Sequence, residues 1–167
     1  MEKAIAQLQN ANMLDLERIH ALDHETLAGL IRPSGYFNIK ARRLQNLCRW
    51  LLEQGGMTAL EQQPTYPLRT GLLSVNGIGP ETADDIVLYA FNRPVFVIDA
   101  YTRRLLGKLG LAQGNESYEA LRAGFEANLP PDPALFNEYH ALIVRHAKQK
   151  CQLSPDCVHC QIEAPIR

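Results

Sequence analysis

The chain has 167 residues, 46% of them hydrophobic, with 17 Lys and Arg against 18 Asp and Glu for a formal charge of −1. That length and composition suit a single domain-sized core and exclude disordered and fibrous classes. They also exclude a global positive field, so any role on nucleic acid must rest on a local patch.

The periodicity is helical nearly throughout and no run alternates apolar and polar residues, which predicts an all-α fold. In chain order, helices are expected over Glu2 to Gln9 and Leu14 to Ala21, and a third starts at Asp23 with Thr26 and ends before the turn Pro33-Ser34-Gly35. A long helix follows from Phe37 to Glu53. Its apolar stripe Phe37, Ala41, Leu44, Cys48 and Leu51 makes Cys48 a buried, inert thiol. Gly55-Gly56 ends that helix, a weak turn covers Thr58 to Gln62, and Pro67 opens a helix through Leu73. After the break Asn76-Gly77-Ile78-Gly79-Pro80, Thr82 to Phe91 is helical, with Ala83, Ile86, Val87 and Ala90 on one face. Val95 to Ile98 is a buried connector. Asp99 is a candidate N-cap for a helix through Leu109, Ser117 starts another through Asn128, and Asp132-Pro133 opens a last helix ending near Lys150. A helical, barrel-like domain over 1–130 and a C-terminal helix with a cysteine loop over 131–167 are the expected divisions. No apolar run reaches bilayer-spanning length, and MEKAIAQLQN lacks a signal-peptide core, so a cytoplasmic, nucleoid-associated protein is the expectation.

Three of the four cysteines, Cys151, Cys157 and Cys160, crowd the last seventeen residues. In a reducing compartment such clustering points to thiolate ligation of a metal more than to disulfides.

The strongest motif is LLSVNGIGPETADDIVLYA, residues 72–90. Two glycines around one aliphatic residue, between short amphipathic helices, allow a tight hairpin whose successive N–H groups point outward and bind an anion such as a DNA phosphate. The following helix adds its unpaired amides and dipole. Asn76, Gly77, Ile78, Gly79 and Thr82 are the candidate DNA contacts. The competing reading is an ordinary helical corner in which the glycines only cap.

Residues 72–83 resemble the helix-hairpin-helix of the endonuclease III superfamily of DNA glycosylases, and VIDAYTRRLLGKLG, residues 97–110, resembles the stretch that carries that family's catalytic aspartate. His140 and His146 of YHALIVRHAKQKC and the terminal cysteine loop extend the resemblance over most of the chain. It implies the helix-hairpin-helix glycosylase fold, double-stranded DNA bearing a damaged base as partner, and Asp99 as the catalytic residue. Without the hairpin upstream, Asp99 would read as a helix cap alone. A fixed carboxylate suits the task, because breaking the base–sugar bond builds positive charge on deoxyribose. The superfamily's bifunctional members place a nucleophilic lysine two residues past the second hairpin glycine, where this chain has Glu81. A carboxylate cannot form a Schiff base, so a monofunctional enzyme without lyase activity is expected.

GIGPETAD together with IRPSGYFNIKARRL, residues 31–44, is most similar to the 3-methyladenine DNA glycosylase III branch, which implies alkylated bases as substrates. A flipped base needs a pocket with aromatic walls. Tyr36, Trp50 and Glu81 are the candidate pocket residues, with Phe37 and Tyr101 behind them; aromatics on helices are otherwise core. Lys40, Arg42, Arg43, Arg103 and Arg104 are candidate phosphate contacts, with a solvated helix face as the alternative.

Cys151, Cys157 and Cys160 resemble the family's cluster loop, which implies a [4Fe–4S] centre with three of its four thiolate ligands present. The open alternatives are an external fourth ligand, a zinc site completed by His146 or His159, and a metal-free loop. The resemblance begins at MEKAIAQLQ, inside the family's domain, so the expected barrel is incomplete at its N-terminus. Its exposed apolar faces then await a missing segment or a second copy. The alternative to an enzyme is a non-catalytic DNA-binding remnant that keeps the hairpin; a helical protein with no nucleic-acid role ranks third.

Overall fold

The computed structural model describes residues 2–148, and the helices follow from caps and apolar spacing. Helix α1 spans Glu2–Asn10 and buries Ala4 and Leu8, one turn apart. Helix α2, Leu16–Ala21, begins two residues later than expected because Asp15 is its cap, accepting from the Arg18 N–H at 3.0 Å. Helix α3, His24–Leu30, is capped by Asp23, whose carboxylate takes the Thr26 N–H at 2.9 Å and the Thr26 hydroxyl at 2.7 Å. A 3-10 turn at Arg32–Ser34 leads into α4, Phe37–Glu53, whose bounds match the sequence expectation.

The turn expected over Thr58 to Gln62 is instead helix α5, Gly56–Glu61. Gly55, at φ +87°, reverses the chain, and the fully buried Leu60 anchors the short helix. The tertiary anchor thus outweighs a weak local signal. Helix α6, Thr65–Ser74, starts before Pro67, which sits in its first turn, where a missing N–H costs no helical bond. Beyond the hairpin, α7 covers Pro80–Asp85 and runs into a π turn at Ile86–Ala90, where the Phe91 N–H reaches back to the Ile86 carbonyl at 3.3 Å. Helices α8 (Ala100–Lys108), α9 (Tyr118–Asn128) and α10 (Pro133–His146) follow, capped by Asp99, Ser117 and Asp132 as the sequence predicts. The fold is all-α, with no strand among the described residues.

The chain divides into two compact units at Gly79 and Pro80. In the first, α2 and α3 pack on α4, and Leu8, Ile19, Leu27, Ile31, Ala41 and Cys48 form the core. In the second, α10 packs on α8 and on the π turn around Leu88, Phe96, Val97, Ile98, Phe136 and Ile143. Burying each large aliphatic side chain stabilises its unit by about 1.5–3 kcal/mol. The connector Val95 to Ile98 is buried, as expected, and is clamped at both ends. The Phe96 N–H donates to Glu126 at 3.0 Å and the Ile98 N–H to the Tyr118 hydroxyl at 3.4 Å. That clamp sets the position of the next residue, Asp99.

Candidate active site

The hairpin is built within the first unit. Where α6 ends, the Ile78 N–H donates to the Val75 carbonyl at 3.0 Å and closes the turn. That amide is therefore used inside the hairpin and does not point outward with its neighbours. Gly77 sits at φ +98°, a conformation side chains rarely adopt, and a Cβ there would strike Cγ of Arg43. Both conditions require glycine. Gly79 has a conventional φ, and a Cβ there would meet nothing within 4 Å, so its backbone is open to approach. Helix α4 braces the loop through Asn46, whose side-chain amide donates to the Asn76 carbonyl at 3.0 Å.

The other candidates on α4 do not converge. Tyr36 stands 85% exposed at the helix start with a left-handed backbone, and Trp50 lies fourteen residues on, about 20 Å along a helix axis. One base cannot lie between them. The Trp50 ring packs instead on Gly71 of α6, where an added Cβ would come within 2.6 Å of it. Phe37 packs against the core of the first unit with the Arg32 guanidinium over its ring. Lys40 donates to the Ser34 carbonyl at 2.5 Å, while Arg42 and Arg43 are exposed.

The second unit carries the titratable cluster. Asp99 caps α8 with Oδ1, 2.7 Å from the Thr102 N–H, and its Oδ2 lies 3.5 Å from His140 Nε2 on α10. The other imidazole nitrogen, Nδ1, is 2.7 Å from the Tyr89 hydroxyl on the π turn. Burial pushes the Asp99 carboxyl upward, but His140 and the Thr102 N–H outweigh it, so Asp99 sits below the ordinary carboxylate range. Glu81, Asp85 and Tyr89 follow at four-residue spacing along α7 and the π turn, so they share one face. Glu81 is raised by burial and by the charge of Asp99, against the pull of His140 and Arg103. Burial and the charges of Glu81, Asp99 and Asp84 push Asp85 to about 6 although His140 opposes them. Carboxyls driven apart in this way separate into an ionised group and a proton-holding group. Asp85, Tyr89 and His140 were not singled out as site residues; the acid spacing 81, 85 is the one local signal that could have found Asp85.

Thr82 is exposed on the first turn of α7. Arg103 donates to the Glu116 carbonyl at 2.9 Å, whereas Arg104 and Lys148 each hold a cation 5.7 Å from the centre of the Tyr101 ring. Among the described residues no group of His, Cys, Asp and Glu is placed to hold a metal ion. Cys151, Cys157, Cys160 and His159 lie outside the described residues. Cys48 is buried on α4, and burial, then the charge of Asp15, pushes its thiol up to about 11, which keeps it protonated and poor as a ligand. No described helix is long and apolar enough to cross a membrane.

A model of the HhH-GPD superfamily of base excision DNA repair proteins matches residues 1–131. Over 166 residues the chain is 42% identical to a Methanocaldococcus jannaschii protein assigned provisionally as a DNA repair glycosylase, covering 98% of this chain and 76% of that one. It is 29% identical over 147 residues to an endonuclease III of Sulfolobus acidocaldarius, covering 87% of this chain and 64% of the relative. Among solved structures, the 3-methyladenine DNA glycosylase of H. pylori bound to 1,N6-ethenoadenine is similar with a TM-score of 0.77 and 32% identity, over 89% of this chain and 76% of that one. A non-covalent endonuclease III–DNA complex shares the fold at TM-score 0.77 and 24% identity, over 95% and 71% of the two chains.

Proposed function

This chain belongs to the HhH-GPD superfamily of base excision DNA repair proteins, and we propose that it is a monofunctional DNA N-glycosylase acting on alkylated bases in duplex DNA. The observation that carries the reading is Asp99: a carboxylate fixed by the cap of α8 and held below the ordinary range. As the base–C1′ bond breaks, its electron pair leaves with the base and positive charge grows on the sugar. A preorganised anion stabilises that charge without reorganising at the moment of reaction. Water then bonds to C1′ and gives up its proton to the Asp99 carboxylate, which passes it to solvent, leaving an abasic site. N-alkylation places positive charge on the purine, so the leaving group departs neutral, and a site without a covalent nucleophile suffices. The likeness to the H. pylori 3-methyladenine enzyme supports this substrate class.

Glu81 stands where a lyase would need an amine, so no Schiff base forms and the strand stays intact. The hairpin at Asn76 to Gly79 holds the DNA backbone, with the open face of Gly79 as its point of closest approach.

Release of free base from alkylated duplex DNA tests the proposal. The wild-type chain is expected to release base without nicking the strand and to give no covalent adduct under borohydride. Asp99→Asn is expected to abolish release while changing stability by less than about 1 kcal/mol, because Asn also caps helices well. Salt-dependent DNA binding with no base release from any alkylated substrate would favour the non-catalytic reading, and a borohydride adduct would overturn the monofunctional one.

A further inference from the structure

Nothing in the reaction above uses the imidazole of His140, yet it is 7% exposed and lies between two groups of the cluster. Its Nε2 is sealed from solvent without a hydrogen-bond partner of good geometry among the described residues, and it faces Asp99 Oδ2 at 3.5 Å. A buried polar nitrogen left so costs stability, which calls for a compensating role. The ring chemistry narrows that role. Were Nε2 to carry a lone pair, it would oppose the carboxylate, so Nε2 carries the hydrogen. In the neutral ring Nδ1 is then the acceptor, and the Tyr89 hydroxyl, 2.7 Å away, donates to it. Tyr89 is suited to donate, because burial and the charges of Asp85 and Asp99 push its hydroxyl up and keep it protonated.

We propose that His140 is the positioning residue for Asp99: the Tyr89 hydroxyl locks the imidazole in the tautomer with hydrogen on Nε2, and that N–H orients the carboxylate. Asp99 is thereby engaged at both oxygens, with the Thr102 N–H bonded to Oδ1 and His140 Nε2 facing Oδ2, which restricts the swing of its plane. The 3.5 Å separation exceeds a good hydrogen bond. Catalytic contacts of this kind shorten as the substrate complex forms. Orientation of a catalytic carboxylate through a tautomer-fixed imidazole needs no proton transfer to or from the ring. The other titratable or charged groups around the pair are Glu81 and Asp85 on α7, Arg103 on α8, and Arg145 and Lys148, which line the cleft beside Tyr89 and His140. This inference rests on the glycosylase reading for its catalytic consequence, but the coupling of Asp99 to His140 can be read without turnover.

The test compares His140→Leu, His140→Gln and Tyr89→Phe with wild type. Base release is followed from about pH 4 to about pH 8, the Asp99 carboxyl by carbon NMR titration, and the His140 ring by nitrogen NMR. Leu removes the donor, and release is expected to slow by about 10- to 100-fold, the loss of one hydrogen bond to a charged group. The acid limb of the pH profile and the Asp99 titration are both expected to move to higher pH. Gln keeps an N–H donor and is expected to recover part of the rate. Tyr89→Phe is expected to shift the ring signals away from the pure Nε2–H tautomer. A uniform rate loss at every pH with the Asp99 titration unmoved, or Gln no better than Leu, would overturn the proposal. If wild type releases no base at all, the glycosylase reading fails on its own, and the Asp99 titration in the His140 variants still decides the coupling.

Discussion

Gly77 and Gly79 read alike in the sequence, as two small residues around Ile78, and their surroundings separate them. Gly77 combines φ +98° with the Arg43 side chain packed where a Cβ would go, whereas Gly79 has neither constraint. Gly77→Ala is therefore expected to lower stability by about 1–3 kcal/mol, the cost of a strained backbone position plus displacement of Arg43. Gly79→Ala should melt within about 0.5 kcal/mol of wild type. If a phosphate approaches the Gly79 backbone, that variant nonetheless binds DNA more weakly at low salt. Thermal melts and DNA titrations on the two variants separate folding from binding; equal behaviour of both would remove the basis for assigning Gly79 to the DNA. What made these glycines legible was local, since a two-glycine bend is written in consecutive letters. The close approach of Arg43 was not, because it joins positions 34 residues apart.

At the scale of elements, the continuous face formed by α7 and the π turn gathers Glu81, Asp85 and Tyr89, and its electrostatics predict a pH dependence of stability. Asp85 has a folded value raised to about 6 from an ordinary 3.8. A carboxyl raised by folding contributes stability that is complete below its unfolded value and is lost as pH rises through its folded value. Asp85→Asn should thus stabilise the protein at pH above about 6, by about 1–2 kcal/mol once solvent screening of a partly exposed group is allowed for. The advantage should shrink as pH falls from about 6 towards about 4, and melts across that window check it. Asp99 has the opposite sign. Its lowered value contributes stability present above 3.8 and lost as pH falls through the folded value.

The elements themselves were largely readable. The caps Asp23, Asp99, Ser117 and Asp132 and the stripe of α4 are short-range patterns, and all appear where expected. Helix α5 was missed because a buried Leu60, not propensity, holds it. The relay from Tyr89 to His140 spans 51 positions, and the ion pair of Arg122 with Asp84 joins α9 to α7. Neither leaves a periodic trace. The separation of Tyr36 from Trp50 has a related reason: both resemble wall residues by type, but the length of α4 between them keeps them apart.

For the whole molecule, a formal charge of −1 means that affinity for DNA cannot come from overall attraction. Binding should depend on a few local contacts, with the logarithm of the binding constant falling against the logarithm of salt with a slope of roughly −2 to −4, equivalent to two to four phosphates. A slope near zero would deny the DNA partner, and titrations at several salt concentrations distinguish the cases. Because Asp99 is at once the cap of α8 and the acid proposed for the chemistry, its side chain is set in place once, as the chain folds, instead of being searched for at every encounter with a damaged base. Whatever frays the first turn of α8 on warming releases that carboxylate with it, so under the proposed role the onset of fraying is also expected to mark the upper thermal limit of base release, which rates and melts over the same temperatures check.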